Sequence, residues 1–316
     1  MLTSYNTQGP TEVFPGFVIV PTGGMIHYVH HSGAAALSNL PPGMYSPSPG
    51  GFFTSVNAAL NVCRSNRGDR IVCLPGHAEN IDAADKWSNI KAGVEVIGTG
   101  TGDNRATFTW TAATSTILMD VASFAIRNCN LYLAGPHAAG TALTVAAPIT
   151  VSAAGCSITD CRVFFGFAAN QNVTIGITTT AAGDDFSFRR NYCRAEVAAA
   201  TGTTFMQLVG ADYMTMEDCF ISGASSGVNV GIVRFLTTAS LGINWRRNVI
   251  QNQLASSVSA VTGLAGCTGQ VHQCGWGILD NATLAGFTTP ANIQFYDCYT
   301  VNNNGENGAA MTPVSV

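Results

Sequence analysis

The sequence predicts an all-β fold, a parallel β-helix in which successive coils of the chain stack along one axis. A six-residue pattern recurs seven times between residues 126 and 300, and each copy begins with an apolar residue that we call the anchor. Repeats at intervals of 24 to 32 residues indicate stacked supersecondary units rather than a globular packing of long elements. The anchors are Ile126, Ile158, Phe188, Met216, Trp245, Val271 and Phe295.

Each copy of the pattern predicts a strand, a bend and a second strand. Apolar residues alternate up to the anchor, the alternation is interrupted once, and it resumes five positions after the anchor. A leucine-rich repeat is the competing solenoid, but its fixed leucine spacing is absent and these repeats vary too much in length. Short β-type runs before most anchors predict a third strand in each coil, at 143–145, 173–177, 205–209, 232–236 and 258–261.

A small residue stands three positions after most anchors, at the predicted bend. Equivalent residues of neighbouring coils would lie about 4.8 Å apart, so these side chains form one column. Asparagine tolerates the left-handed backbone that a sharp bend needs, and cysteine fills the same small interior space as a weakly polar residue. This bend column consists of Cys129, Cys161, Asn191, Cys219, Asn248, Cys274 and Cys298.

The two positions between anchor and bend carry charges of alternating sign. In one column, Glu217 falls between Arg189 and Arg246. Opposite charges on neighbouring strands support pairing and register, whereas like charges oppose them. A row of catalytic acids and bases is the alternative, and we interpret the residues as a structural ladder. The second column alternates through Asp160, Arg190, Asp218 and Arg247.

Composition indicates a surface that neighbouring subunits cover. Only 10% of the 316 residues are charged, and Lys86 and Lys91 are the only lysines. So few charges furnish a poor surface for an isolated soluble monomer. Hydrophobic residues make up 47% and the mean hydropathy is +0.22, yet no run of about 18 apolar residues predicts a membrane span. The net charge is −4 and the basic residues look scattered or held in the ladders, so we expect neither nucleic acid nor membrane as a partner.

The ten cysteines show no Cys-x-x-Cys spacing and give no support to a zinc site. Five of them stand in the bend column, a packing use of thiols that fits assembly in a reducing cytosol, with a disulfide between column neighbours as the alternative. His27, His30 and His31 are close in sequence, but a strand would place His30 on the opposite face from the other two. We therefore expect no metal and no cofactor. No charged-then-apolar signal peptide opens the chain.

The chain is predicted to consist of an arm, a solenoid and a tail. Residues 1–24 carry Pro and Gly around apolar pieces, which predicts an extended N-terminal arm that docks on a partner or folds back on its own solenoid end. Residues 25–304 form the β-helix, and 305–316 form a C-terminal tail. Within the solenoid, residues 54–66 predict an N-terminal capping helix that covers the open first coil. The apolar residues of the docking arm are Phe14, Phe17, Val18, Ile19 and Val20.

One stretch resembles a known family. A short strand at Tyr28-Val29, a Pro/Gly-rich loop, the helix, Gly68-Asp69, a strand and Leu74-Pro75-Gly76 follow one another. This order is similar to right-handed parallel β-helix proteins of the pectin-lyase-like superfamily, and Leu-Pro-Gly-His-Ala-Glu at 74–79 resembles members from tailed bacteriophages and prophages. The resemblance implies a right-handed β-helix over roughly residues 26–304. It leaves the function open, because this fold serves lyases, hydrolases, esterases and non-enzymatic virion parts.

An active site on this fold would need converging acids. A lyase needs acidic calcium ligands with an Arg or Lys base, and a hydrolase needs two carboxylates across a groove. Asp184 and Asp185 are adjacent, so their carboxylates cannot face each other across a groove, and we interpret the candidate acids as residues of capping turns. His77 and Glu79 would form an acid–base pair on one strand face, but a turn in which His77 satisfies backbone groups is favoured, and we expect no catalytic residue. The candidate acids are Asp184, Asp185, Glu196 and Asp212.

These observations predict a non-enzymatic bacteriophage virion protein, most specifically a capsid decoration or cement protein that binds and stabilises the head. Its expected partners are further copies of itself, as a homotrimer by analogy with other phage β-helix proteins, and the major capsid protein or other virion proteins. We expect it to be made in the host cytoplasm and to reside in the virion. The alternatives are a tail-spike-like polysaccharide lyase or hydrolase and a non-catalytic receptor-binding tail component.

Overall fold

The computed structural model is an all-β parallel solenoid of the right-handed type with about eight turns. The predicted parallel β-helix is therefore confirmed. The structure describes residues 13–14, 17–18, 23–32, 51–134, 142–166, 171–195, 204–225, 231–253, 259–278, 287–288, 292–302 and 309–310. Within these ranges, no helix is long and apolar enough to cross a membrane.

The first sheet carries the anchors and runs the length of the solenoid. Its strands pair in parallel, and each anchor lies opposite the anchor of the next coil. All seven anchors are at most 1% exposed, because strand alternation turns them into the interior. In spatial order its eleven strands are Phe52–Phe53, Ile26–Val29, Arg70–Cys73, Glu95–Gly98, Ala125–Arg127, Ser157–Thr159, Ser187–Arg189, Thr215–Glu217, Ile243–Arg246, Thr268–His272 and Asn292–Tyr296.

The second sheet begins directly after each bend. The residue five positions after the anchor lies on this sheet and faces the interior, as the complete burial of Leu131, Val163 and Ile221 shows. One 3₁₀ turn, Gly102–Asn104, precedes its second strand. The ten strands, of which the last is antiparallel, are Ala78–Ile81, Thr107–Trp110, Asn130–Leu133, Arg162–Phe164, Tyr192–Ala195, Phe220–Gly223, Val249–Asn252, Gly275–Ile278, Tyr299–Asn302 and Ala309–Ala310.

The third sheet supplies the remaining strand of most coils. The run predicted at 143–145 is a strand, but Leu143–Val145 pairs with Gln171–Val173 in a separate two-stranded sheet. Ile149–Val151 takes its place in the third sheet because its two outer residues are completely buried. The seven strands are Ile117–Met119, Ile149–Val151, Ile175–Thr179, Thr204–Leu208, Val233–Phe235, Val261–Thr262 and Phe287–Thr288.

A single column of apolar side chains fills the interior. The buried cluster extends from Val29 near the first coil to Cys298 in the last. Trp110 also donates from Nε1 to the carbonyl of Pro148 at 3.0 Å, so its polar atom is satisfied inside the core. The largest buried side chains include Trp87, Trp110, Trp245 and Trp276. The interior is thus used for packing, and the outer faces and corners are left for function.

The N-terminal helix is much shorter than predicted. It spans Val56–Leu60 and begins after Ser55, whose Oγ accepts the backbone N–H of Ala58 at 3.2 Å. The sequence predicted a helix over 54–66 that caps the first coil, and a capping helix of that kind is not supported. The chain leaves the helical path because the buried carboxylate of Asp69 accepts a backbone N–H of the following turn at 2.8 Å.

Short pieces of the predicted arm and tail are described. Val13–Phe14 and Phe17–Val18 pair as antiparallel strands. Residues 19–20, the other two predicted docking positions, lie outside the described residues. In the predicted tail, Ala309–Ala310 pairs with Tyr299–Asn302 and so continues the second sheet.

Candidate functional surface

The sharp bend of each coil is made by the residue before the bend column. At seven successive coils this residue has φ between 50° and 58°, which is the left-handed region. The left-handed backbone was expected at Asn191 and Asn248, and that expectation was wrong because the turn comes one position earlier. Aspartate and asparagine adopt this conformation readily, whereas in Arg190 and Arg247 it costs about 1 kcal/mol or more. The left-handed residues are Asn128, Asp160, Arg190, Asp218, Arg247, Gln273 and Asp297.

The bend column lies inside the solenoid and satisfies backbone groups of the preceding coil. Asn191 accepts the N–H of Cys161 through Oδ1 at 2.9 Å and donates from Nδ2 to the carbonyl of Ile158 at 2.8 Å. Asn248 makes the same two bonds to its own preceding coil, at 3.0 and 2.8 Å. Cysteine substitutes more weakly, as when Cys129 donates its N–H to the sulfur of Cys161 at 3.5 Å. At most 3% of each side chain is exposed in Cys129, Cys161, Asn191, Cys219, Asn248, Cys274 and Cys298.

The charged residues at the bend form two separate ion-pair clusters. In the first, Asp160 accepts two bonds from Arg190 of the next coil, Nε to Oδ1 at 2.6 Å and Nη2 to Oδ2 at 3.0 Å. Arg127 of the preceding coil reaches the same carboxylate at 3.1 Å. Burial raises the pKa of Asp160, but the guanidinium groups of Arg190 and Arg127 together outweigh this effect and hold the pKa below its ordinary value. The carboxylate therefore remains ionised at neutral pH.

The second cluster lies two coils further along. Arg247 donates from Nε to Oδ1 of Asp218 at 2.6 Å and from Nη2 to Oε1 of Glu217 at 2.7 Å. The hydrogen bond from Arg247 lowers the pKa of Asp218. Arg190 and Asp218 influence each other electrostatically, but none of the ion pairs among the described residues joins them. The alternation predicted from the sequence is thus interrupted between the two clusters.

The acids considered for catalysis hold the corners between the third and first sheets. Asp184 accepts the N–H of Asp212 through Oδ1 at 2.8 Å, and Asp212 accepts the N–H of Leu241 in the same way at 2.8 Å. Asp185 is the left-handed residue of its turn, with φ of 55°. Glu196 lies outside the described residues. Asp184 and Asp212 therefore tie each corner to the next coil.

His77 and Glu79 form a buried pair rather than an open acid–base site. The Nε2 atom of His77 lies 3.3 Å from Oε2 of Glu79, and His77 is completely buried. The same oxygen accepts the N–H of Val56 at the start of the helix at 2.8 Å. The side chain expected to satisfy backbone groups was His77, and that expectation was wrong because Glu79 fills this role. A substrate would have to open the first coil to reach His77.

Two further histidines lie against His77. The rings of His30 and His31 stack 4.4 Å apart, and their centroids lie 6.2 and 6.1 Å from that of His77. They follow the end of strand Ile26–Val29, so the expectation that they face opposite sides of a strand was wrong. Each accepts a backbone N–H through Nδ1 at 3.1 Å. The lone pairs that a metal ion would need are therefore used within the protein.

His27, Cys63 and Asp69 place three potential metal ligands within 4.8 Å of one another. The carboxylate of Asp69 already accepts two backbone N–H groups at 2.8 Å and two guanidinium N–H groups of Arg67 at 2.6 Å. The guanidinium stands where a cation would bind. Burial raises the pKa of Cys63 to about 12, so its thiol stays protonated at neutral pH. These side chains therefore suit Arg67 better than a metal ion. The carboxylate of Asp69 also joins the residue before strand Ile26–Val29 to the turn after the helix.

Basic residues gather along one edge of the solenoid, which we call the bend ridge. They were expected to be scattered or held in the ladders, and eight of the fourteen flank the bend between the first and second sheets. Among the described residues, five acids share this edge, so this part of the chain has three excess positive charges while the whole chain has a net charge of −4. The arginines are Arg105, Arg127, Arg162, Arg189, Arg190, Arg194, Arg246 and Arg247. The acids are Asp103, Asp160, Glu217, Asp218 and Asp297.

Aromatic side chains line the outer face of the second sheet beside the ridge. Tyr132 stacks on Phe164 with centroids 5.3 Å apart, and Tyr192 stacks on Phe220 at 5.2 Å. Stacked rings cover each other's faces, whereas sugars pack on open ring faces. The stack is therefore a structural ladder rather than a sugar platform. Tyr192 is nonetheless 44% exposed and adds an aromatic edge to the ridge.

Comparison with known proteins leaves the family open. No protein-family model matches the chain. A search of curated proteins likewise found no match. The resemblance to pectin-lyase-like bacteriophage proteins therefore stays a prediction, and the function has to be argued from the surface itself.

Replacing Asn248 with leucine should destabilise the solenoid far more than replacing it with cysteine. Leucine leaves the N–H of Cys219 and the carbonyl of Met216 without their partner, and each buried loss costs about 1–3 kcal/mol. Cysteine stands at the equivalent position in five coils. Urea unfolding of the three proteins measures the difference. An equal loss in both variants would contradict the hydrogen-bonding role.

Charge reversal of Arg190 should destabilise the protein, and reversal of Asp160 in the same chain should recover part of the loss. The pair is partly exposed, so we expect a coupling of about 0.5 kcal/mol or more rather than several kcal/mol. The matched control is a second double-mutant cycle that combines Arg190→Asp with Asp218→Arg. No ion pair is described between these two residues, so their coupling should be weaker. Thermal unfolding measures the stability of the single and double variants in both cycles. Additive effects in the first cycle would contradict the ion pair between Arg190 and Asp160.

Acid should weaken the N-terminal coil. Burial, followed by the neighbouring His31 and His77, holds the pKa of His30 below its ordinary value of 6.5. The folded protein therefore binds fewer protons than the unfolded chain as the pH falls. The free energy of unfolding is highest above pH 6.5, where His30 is neutral in both states, and it decreases below pH 6.5. Urea midpoints between about pH 7.5 and about pH 5 should decline less steeply in His30→Gln. The same slope in both proteins would count against the histidine cluster.

Proposed function

We propose that this protein is a non-enzymatic structural component of a tailed-bacteriophage virion, specifically a decoration protein that binds the outside of the head as a homotrimer. The observation that carries the proposal is how the chain uses its polar residues. Asp184, Asp212 and Glu79 bind backbone groups of the solenoid itself. Exposed arginine and tyrosine side chains, by contrast, line one outer edge. This arrangement suits an assembly protein, because the acidic side chains stabilise the solenoid and the side chains typical of protein interfaces face outward.

The sequence supports the virion part of the proposal. Residues 74–79 resemble the corresponding stretch of bacteriophage β-helix proteins, and only 10% of all residues are charged. A sparsely charged solenoid gains solubility when neighbours cover its sides. The major capsid protein is the partner that fits a decoration protein on the head.

The proposal places synthesis in the host cytoplasm. All ten cysteines are free and buried. Burial raises the pKa of the Cys193 thiol well above its ordinary value, which keeps this thiol protonated and unreactive. Buried free thiols are consistent with folding in a reducing compartment before the particle is released.

Cryo-electron microscopy of virions from a bacteriophage whose genome encodes this protein tests the proposal. Clusters of three solenoids should lie on the outer surface of the head. Density on a tail fibre or spike would instead establish the receptor-binding alternative, and a virion without the protein would end the proposal altogether.

Deleting residues 1–24 should leave the solenoid folded but prevent it from binding particles that lack the protein. Three arms in a trimer would combine weak contacts through effective concentration. Circular dichroism monitors the fold, and co-sedimentation with particles monitors attachment. Full attachment of the truncated protein, or its failure to fold, would show that the arm belongs to the solenoid.

The purified protein should release no unsaturated or reducing sugar ends from host cell-surface polysaccharide. Asp184 and Asp212 hold corner turns through backbone hydrogen bonds, so we expect neither to act as a general acid or base. Sugar release by the natural sequence, abolished in Asp184→Asn or Asp212→Asn, would establish a lyase or hydrolase instead.

A further inference from the structure

The bend ridge has more positive charge than an internal ladder requires. A ladder of ion pairs needs equal numbers of acids and bases, but the ridge holds eight arginines and five acids. The excess brings like charges together, since Arg189 and Arg190 are consecutive and so are Arg246 and Arg247. Like charges on neighbouring positions oppose folding unless another group neutralises them.

The contacts show which guanidinium groups lack a full partner. Glu217 is the register neighbour of both Arg189 and Arg246, yet its described ion pair is with Arg247. Arg105 donates to the backbone carbonyl of Asp160 rather than to a carboxylate. Arg246, by contrast, is exposed and takes part in no ion pair among the described residues. The ridge therefore retains capacity for further anionic groups.

We propose that the bend ridge is a docking surface for a protein partner that presents carboxylates. Every base on it is arginine, whose planar fork binds carboxylates through paired hydrogen bonds. Tyr192, Tyr296 and Tyr299 lie along the same edge with 39% to 44% of each exposed. Arginine and tyrosine are the residues enriched in the energetic centres of protein interfaces. A nucleic acid fits less well, because the five interspersed acids would face its phosphates.

This inference deepens the proposed function and rests on it for the kind of partner, an acidic surface of a neighbouring virion protein. From the first anchor to the last, six coil steps of about 4.8 Å give a row roughly 29 Å long. A row of this length accommodates an interface of ordinary size. The partner would then approach the solenoid from the side and not from an end.

The test measures binding of the purified full chain to immobilised poly-L-glutamate by biolayer interferometry. The natural sequence should bind despite its net charge of −4, and its affinity should fall at least about tenfold between about 20 and about 300 mM NaCl. Neutralising three ridge residues, Arg189→Gln, Arg194→Gln and Arg246→Gln together, should weaken binding at least about tenfold. The matched control removes three charges elsewhere, Arg64→Gln, Lys86→Gln and Lys91→Gln, and should bind like the natural sequence.

A charge-preserving variant guards against misfolding. The triple variant Arg189→Lys, Arg194→Lys and Arg246→Lys keeps the long-range attraction but loses the paired hydrogen bonds, so its affinity should lie between those of the natural and glutamine proteins. Absence of binding by the natural sequence, or an equal loss in the matched control, would overturn the proposal. Tighter binding to duplex DNA than to poly-L-glutamate would assign the ridge to nucleic acid instead.

The ridge and the virion role can fail separately. Density on the head without binding to poly-L-glutamate would remove the docking ridge and keep the decoration role. Ridge-dependent binding without the protein in virions would keep the docking surface and remove the decoration role.

Discussion

Every coil of this solenoid depends on how its bend satisfies two buried backbone groups. The turn leaves the N–H of the column residue and the carbonyl of the anchor outside the sheet ladders, and such groups must find partners. Where the column residue of the next coil is asparagine it provides both bonds, as Asn191 does for Cys161 and Ile158. Because the partner is always one coil further on, no coil is complete alone. Stability therefore resides in the stack and not in its units.

The fold could be predicted from the sequence because one periodic pattern encodes both the strand faces and the stacking. The anchors and the residues five positions later lie on the sheets and faces that the alternation predicts. The left-handed position was predicted one residue too late, because asparagine tolerates this conformation well and Asn191 and Asn248 stand in the bend column. In the structure, stacking imposes that conformation even on Arg190, against its own preference. The predicted helix is shorter in the structure because the carboxylate of Asp69, five positions later, accepts the N–H of Arg64 that a longer helix would use.

The candidate surface could be predicted only in part. The acid–base alternation at the bend is visible in the sequence, as is the corner role of Asp184 and Asp212. The ridge is different, because Arg105, Arg162 and Arg194 occupy unlike positions relative to their anchors and only the folded coil gathers them. A usable signal was present in the two consecutive pairs that follow Phe188 and Trp245, which repeat the same charge at the same bend. The residues of a surface in a solenoid thus come from several coils, while the pattern that predicts the fold recurs within each coil.

The pairing at the bend also limits how such a chain can change its length. An aspartate of one coil binds an arginine of the next, first as Asp160 with Arg190 and then as Asp218 with Arg247. Loss of the single coil between Asp160 and Asp218 would stack two carboxylates, and loss of the one after it would stack two guanidinium groups. Removal or duplication of two coils keeps opposite charges in contact. In this part of the molecule, insertions and deletions would therefore be tolerated in steps of about 10 Å along the axis, twice the spacing of neighbouring strands.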